Sequence, residues 1–121
     1  WDFRDGRTIR EATADAKLDT NFNTAEAPGP IRAVGTLESP ASGVAMEIRT
    51  TEPGLQVYDA ARLSPPVPGL DGRSMGAHAG IALEPQLWPD AIHHTDWAQP
   101  VLRPGETYDQ HTQFVFRRTP R

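Results

Sequence analysis

The sequence predicts an antiparallel all-β fold. Short stretches alternate apolar and polar residues with a period of two, the mark of half-buried strands. Turn-forming residues punctuate those stretches, with 12 prolines and 10 glycines among 121 residues. Helical spacing appears in one short stretch only. Short strands at near-regular spacing, with little helix, carry that reading.

Residues 1–7 read as an extended segment closed by a turn at Asp5-Gly6. Residues 8–17 carry Ile9, Ala12 and Ala16 near helical spacing, enough for one helical turn or an irregular loop. Leu18 to Asn23 alternates polar and apolar residues, and a loop ending in Pro28-Gly29-Pro30 follows. Residues 31–38 form a strand, and 39–43 a turn. Residues 44–50 form the cleanest strand, with Val44, Met46 and Ile48 facing one way and Glu47 and Arg49 the other. These two strands make a hairpin. A turn at Glu52-Pro53-Gly54 leads into a short strand over 55–58, with Gln56 and Tyr58 opposite Leu55 and Val57. Residues 63–76 form a Pro- and Gly-rich loop with the makings of a mobile segment. A polar loop spans 90–100, a turn sits at Arg103-Pro104-Gly105-Glu106, and a last strand covers 107–118. That strand places Tyr108, Gln110, Thr112, Phe114 and Phe116 on one face, part core and part site.

Length and composition bound the function. The chain is the size of one domain, without an internal repeat or a low-complexity linker, so no domain boundary is expected inside it. A net charge of −4 and no basic stripe argue against nucleic acid as a partner. The absence of cysteine removes disulfides and thiol chemistry. No apolar run approaches a membrane span, so no membrane partner is expected. No signal peptide is visible, though the sequence opens on Trp1 rather than Met.

The organising stretch is Gly80-Ile81-Ala82-Leu83-Glu84-Pro85-Gln86-Leu87-Trp88-Pro89-Asp90. As a strand it directs Ile81 and Leu83 to one face, Ala82 and Glu84 to the other. Proline cannot donate to a sheet ladder, so Pro85 is expected to end the pairing directly after the acid. Glu84 then stands at a strand end, facing away from its apolar neighbours. A solvated edge carboxylate has the same local pattern.

Other clusters carry less. His93-His94-x-Asp96 lacks a second ligand group at metal-binding spacing and reads as a solvated loop, so no metal site is expected. His78 and His111 are isolated. Ser39, Ser42, Ser64 and Ser74 lie in turn-like settings without a nucleophile elbow. Gly69-Leu70-Asp71-Gly72 lacks the strand and helix of a phosphate loop. Asp19, Gln56 and Glu84 remain. Carboxylates and an amide suit a neutral polyol such as a sugar, and a poised carboxylate moves a proton. Trp88 or Tyr58 is placed to pack on a sugar's apolar face.

Ordered motifs add to that reading. Thr50-Thr51-Glu52-Pro53-Gly54-Leu55-Gln56-Val57-Tyr58 resembles the T-T-x-P-G-x-Q-x-Y signature of aldose 1-epimerases, the galactose mutarotases. The stretch 80–90 resembles their G-x-x-L-E-x-Q-x-x-P-D segment, and Leu102-Arg103-Pro104-Gly105-Glu106-Thr107-Tyr108 their closing L-R-P-G-E-x-Y. Asp2-Phe3-Arg4 and Leu18-Asp19-x-x-Phe22 match less tightly. The motifs run in family order along nearly the whole chain.

The resemblance implies a β-supersandwich of the galactose mutarotase type, residues 1–121 being the C-terminal part of one such sandwich domain. It implies an isomerase that interconverts α and β anomers of free aldohexoses without a cofactor, in the cytoplasm. By the motif match Glu84 is the catalytic base, and Asp19 and Gln56 bind the sugar. The family's acid is a histidine from the other, N-terminal half, which becomes the expected partner. His78, His93, His94 and His111 do not sit in the family's histidine motifs. Asp19 is followed by Thr20 where many members have His, and Asp59-Ala60-Ala61 replaces a common Thr-x-Asn. Two other readings stay open: a non-catalytic carbohydrate-binding module of the same fold, and a relative acting on a phosphorylated sugar, with Arg62 and Arg73 the nearest phosphate candidates. A half sandwich leaves edges and apolar faces bare, so its other half or an oligomer is expected to cover them.

Overall fold

The computed structural model describes residues 1–14 and 17–119. Ala16, assigned above to the helical stretch, lies outside the described residues. The elements run α1 (Ile9–Thr13), β1 (Asp19–Asn23), β2 (Arg32–Ser39), β3 (Val44–Thr50), β4 (Gly54–Tyr58), β5 (Ala82–Gln86) and β6 (Thr112–Arg118), with 3-10 turns at Leu70–Gly72 and Ala91–His93. The strands form two three-stranded sheets, ordered β1-β4-β5 and β2-β3-β6. The expectation of an all-β fold holds.

Internal contacts divide the chain into two compact units, Trp1–Thr20 with Gln56–Glu84, and Asn21–Leu55 with Pro85–Arg121. In the first, the opening segment closes by a Gly6 N–H to Phe3 O bond of 3.0 Å, with Gly6 at φ 66°. α1 is the single helical turn the spacing allowed. Thr8 caps it: Thr8 Oγ1 accepts from Glu11 N, and Glu11 Oε2 accepts from Thr8 N. Ala14 ends it in the left-handed region at φ 49°. Leu18, Ala60, Thr13 and Asp59 are buried in this unit.

The second unit holds the hairpin. β2 and β3 pair antiparallel from Arg32↔Thr50 to Ser39↔Val44, with a register shift between Ala33 and Gly35. The turn between them closes on Ser39 O, with Gly43 at φ 67°. β6 pairs with β3 from Val44↔Arg118 to Thr50↔Thr112. Ala45, Ile48 and Thr50 are buried. Val44 was expected to face the same way as Met46 and Ile48, yet it is 40% exposed while Ile48 is buried. It stands at the turn end of the hairpin, paired with Ser39 directly after Gly43.

Two further expectations change. The last strand starts at Thr112, not at residue 107, and all its residues are exposed on an edge strand that little packs against among the described residues. Its Phe114 and Phe116 are therefore not core among the described residues. Pro85 does not end the strand that carries Glu84: β5 runs through it to Gln86. β5 lies at the end of the order β1-β4-β5, and an edge position tolerates a residue without an N–H.

The link from β3 to β4 is held almost atom by atom. Arg32 Nη1 donates to Thr50 O and Thr51 O, and Arg32 Nη2 to Glu52 O at 2.8 Å and Thr24 Oγ1 at 3.1 Å. Pro53 O accepts from Thr24 N, Ala25 N, Thr24 Oγ1 and Trp88 Nε1. These bonds satisfy carbonyls buried where the chain passes from one sheet to the other. The expected turn at Glu52-Pro53-Gly54 is thus a clamped bend, and Gly54 already belongs to β4. No helix among the described residues is long and apolar enough to cross a membrane.

Candidate functional site

Asp19 opens β1 and Gln56 lies in the middle of β4. Gln56 Nε2 donates to Asp19 Oδ1 at 2.6 Å, a short hydrogen bond. The structure therefore joins two residues 37 positions apart that the sequence proposed separately. The bond leaves Asp19 Oδ2 and Gln56 Oε1 as acceptors and the second Nε2 hydrogen as a donor. Such a set matches vicinal hydroxyls, each of which both donates and accepts.

Further along the same strands, Gln86 Nε2 donates to Asn21 Oδ1 at 3.3 Å. A Cβ on Gly54 would lie 2.7 Å from Asn21 Oδ1, so the two side chains meet over the glycine and share its face. Strand residues alternate with period two. Stepping back two residues from Asn21 and Gln86, and forward two from Gly54, gives Asp19, Glu84 and Gln56 on that same face. Glu84 is exposed, and no hydrogen bond or ion pair holds its carboxylate among the described residues. A carboxylate without internal partners keeps its lone pairs for a ligand's proton.

Tyr58 follows on the Gln56 face, and its hydroxyl accepts from Arg62 N at 3.1 Å. Trp88 is committed elsewhere: its Nε1 binds Pro53 O, and its ring meets Trp97 edge-on at 5.0 Å. Arg62 and Arg73 lie in the loop after β4, with nothing to mark a phosphate site.

The histidines each have a local partner. His93 Nδ1 bonds Asp90 Oδ1, His94 Nε2 stands 3.5 Å from Asp90 Oδ2, and His94 stacks on Trp97 at 3.9 Å. His111 Nε2 lies 2.9 Å from Asp109 Oδ1. His78 Nδ1 lies 3.1 Å from Asp59 O. Among the described residues no group of three or more His, Cys, Asp or Glu side chains is arranged to hold a metal ion.

Sequence reasoning passed over three residues. Arg32 clamps the bend before β4. Glu52 is 1% exposed, and its Oε2 has no hydrogen-bond partner among the described residues. Burial pushes its carboxyl above the ordinary range, while the Arg32 charge pulls the other way. Asp59 is 6% exposed and accepts from Leu18 N and Ala61 N. A charged residue followed by Ala60-Ala61 was the available signal for Asp59; nothing local marked the other two.

Comparison with known proteins matches residues 1–115 to the family described as aldose 1-epimerase. The chain is 42% identical to human galactose mutarotase over 76 residues, which is 63% of this chain and 22% of that protein. It is 35% identical to aldose 1-epimerase of Haemophilus influenzae over 83 residues, 67% of this chain and 24% of that protein. A crystal structure of a GalM/aldose epimerase homologue from C. elegans superposes with a TM-score of 0.85 at 27% identity, over 99% of this chain and 37% of that one. The chain thus spans about a fifth to a quarter of the curated relatives it matches.

Proposed function

The chain belongs to the aldose 1-epimerase family, and we propose that it forms the C-terminal part of a mutarotase that interconverts the α and β anomers of a free aldohexose, such as galactose or glucose, without a cofactor. The observation that carries this reading is the Asp19–Gln56 bond on the sheet face that also bears the unpartnered Glu84. The pair engages sugar hydroxyls and Glu84 does the proton chemistry.

In the proposed reaction Glu84 takes the proton of the C1 hydroxyl. The C1 to ring-oxygen bond breaks, C1 becomes a carbonyl, and the ring oxygen receives a proton from an acid. Rotation about C1–C2 presents the other carbonyl face, the oxygen attacks, and the two proton transfers run in reverse. Base and acid each contribute on the order of 10²–10⁴-fold. We assign the acid to no residue of this chain, since His78, His93, His94 and His111 do not sit in the family's histidine motifs. It belongs to the larger part of the family fold that this chain does not span, present as a further segment or a separate chain.

Polarimetry of a pure anomer, with the full protein as wild type and as Glu84→Gln, tests the reading. The variant is expected to lose at least about a hundredfold in rate. Equal rates would remove Glu84 from the role of base. Sugar binding without any anomerisation by the wild type would make the protein a carbohydrate-binding module instead.

A further inference from the structure

We propose that Asp59 is a positioning residue for the Asp19–Gln56 pair, acting through the backbone of Leu18; the inference rests on the sugar-binding reading of that pair. Asp59 Oδ2 accepts from Leu18 N at 3.2 Å, and Asp59 N donates to Leu18 O at 3.0 Å. One residue thereby holds both polar backbone groups of the residue directly before Asp19. Leu18 itself is 1% exposed, so its side chain is as fixed as its backbone.

Asp59 also directly follows β4, three residues beyond Gln56. Its carboxylate thus ties the start of β1 to the end of β4. Asp19 and Gln56 are one and three residues from that tie along their own strands. The second oxygen, Oδ1, accepts from Ala61 N at 2.9 Å across Ala60, which is buried and left-handed at φ 57°. This local turn fixes the carboxylate's own direction. The far end of the following loop returns to the same place: His78 N donates to Ala60 O at 3.1 Å, and His78 Nδ1 lies 3.1 Å from Asp59 O and 3.7 Å from Oδ2.

Burying a carboxylate costs free energy unless hydrogen bonds replace its water. Here backbone donors replace it on both oxygens, so Asp59 is not a second sugar ligand. What it controls is distance. The Asp19–Gln56 bond is 2.6 Å long, and a shift of about one ångström at Leu18 is enough to lengthen it beyond a good hydrogen bond.

Asp59→Asn in the full-length protein tests the proposal. Asparagine has the same shape but turns one acceptor into an NH2 that opposes a backbone N–H. The KM for the anomerised aldose is expected to rise about tenfold with kcat within about twofold. The Gln56 side-chain amide protons are expected to move upfield in the NMR spectrum as their bond to Asp19 weakens. A second variant, Asp59→Ala, should show the same pattern more strongly where it folds; Asp59→Asn suffices where it does not. An unmoved Gln56 amide, or equal loss in kcat and in folded protein with no change in KM, would overturn the proposal. A moved amide in a protein that anomerises no sugar would leave the positioning role standing and defeat the sugar reading.

Discussion

Asn21 Oδ1 accepts a 3.3 Å hydrogen bond from Gln86 Nε2 directly over Gly54. The glycine is required by space rather than by backbone angle. A Cβ there would lie 2.7 Å from Asn21 Oδ1 and 3.0 Å from the Gln86 carbonyl oxygen. Gly54→Ala is therefore expected to destabilise the protein by roughly 1–3 kcal/mol, through a displaced Asn21 and a strained sheet. Urea unfolding measures it. Asn21→Ala in the same chain should recover only part of the loss, since the Gln86 carbonyl is backbone and stays in place.

Arg32 makes four hydrogen bonds, three of them to successive carbonyls of Thr50, Thr51 and Glu52. Lysine cannot reproduce that fork. Arg32→Lys is expected to lower stability by about 1–3 kcal/mol, read as a reduced denaturation midpoint with an unchanged slope.

Glu52 predicts a pH dependence of stability. Its carboxyl lies above the ordinary 4.5 chiefly through burial, with Arg32 opposing the shift. The Tyr108 hydroxyl is raised in turn, first by desolvation and then by the Glu52 charge. The folded state thus holds the Glu52 proton more tightly than the unfolded chain does. Its contribution is full below pH 4.5 and is lost as pH rises through the higher folded value. Thermal melts of Glu52→Gln are expected to lack the decline that the wild type shows upward from about pH 4.5.

Site substitutions should separate by kind. Asp19→Ala leaves the proposed base intact and removes the proposed sugar partner, so KM is expected to rise about tenfold or more with a smaller change in kcat. Glu84→Gln should do the opposite, lowering kcat with KM nearly constant. Steady-state anomerisation kinetics distinguish them, and the reverse pattern would exchange the proposed roles.

Much of the strand content was legible from period-two patterning and turn residues. Residues 44–50 coincide with β3, and the hairpin with residues 31–38 is present one position later as β2. The extent of edge elements was not legible. A proline breaks pairing only where its nitrogen faces a partner, and sequence does not say which strand is the edge, so β5 outran Pro85. Alternation in residues 107–118 likewise did not reveal that β6 would lie uncovered on the described chain.

By itself the sequence nominated Asp19, Gln56 and Glu84 as the candidate site and carried the family resemblance, because motifs and strand alternation are read along the chain. Only the tertiary structure decided that Asp19 and Gln56 bond to each other, and that Glu84 shares their face. It alone brought Asp59 against Leu18 and Arg32 beneath the bend at Glu52. Such contacts join residues tens of positions apart, and no periodicity within a strand carries information about the register between strands. Glu84, an ordinary edge acid in its own stretch and the expected base by motif match, comes to share a face with Asp19 and Gln56 only through the pairing between strands.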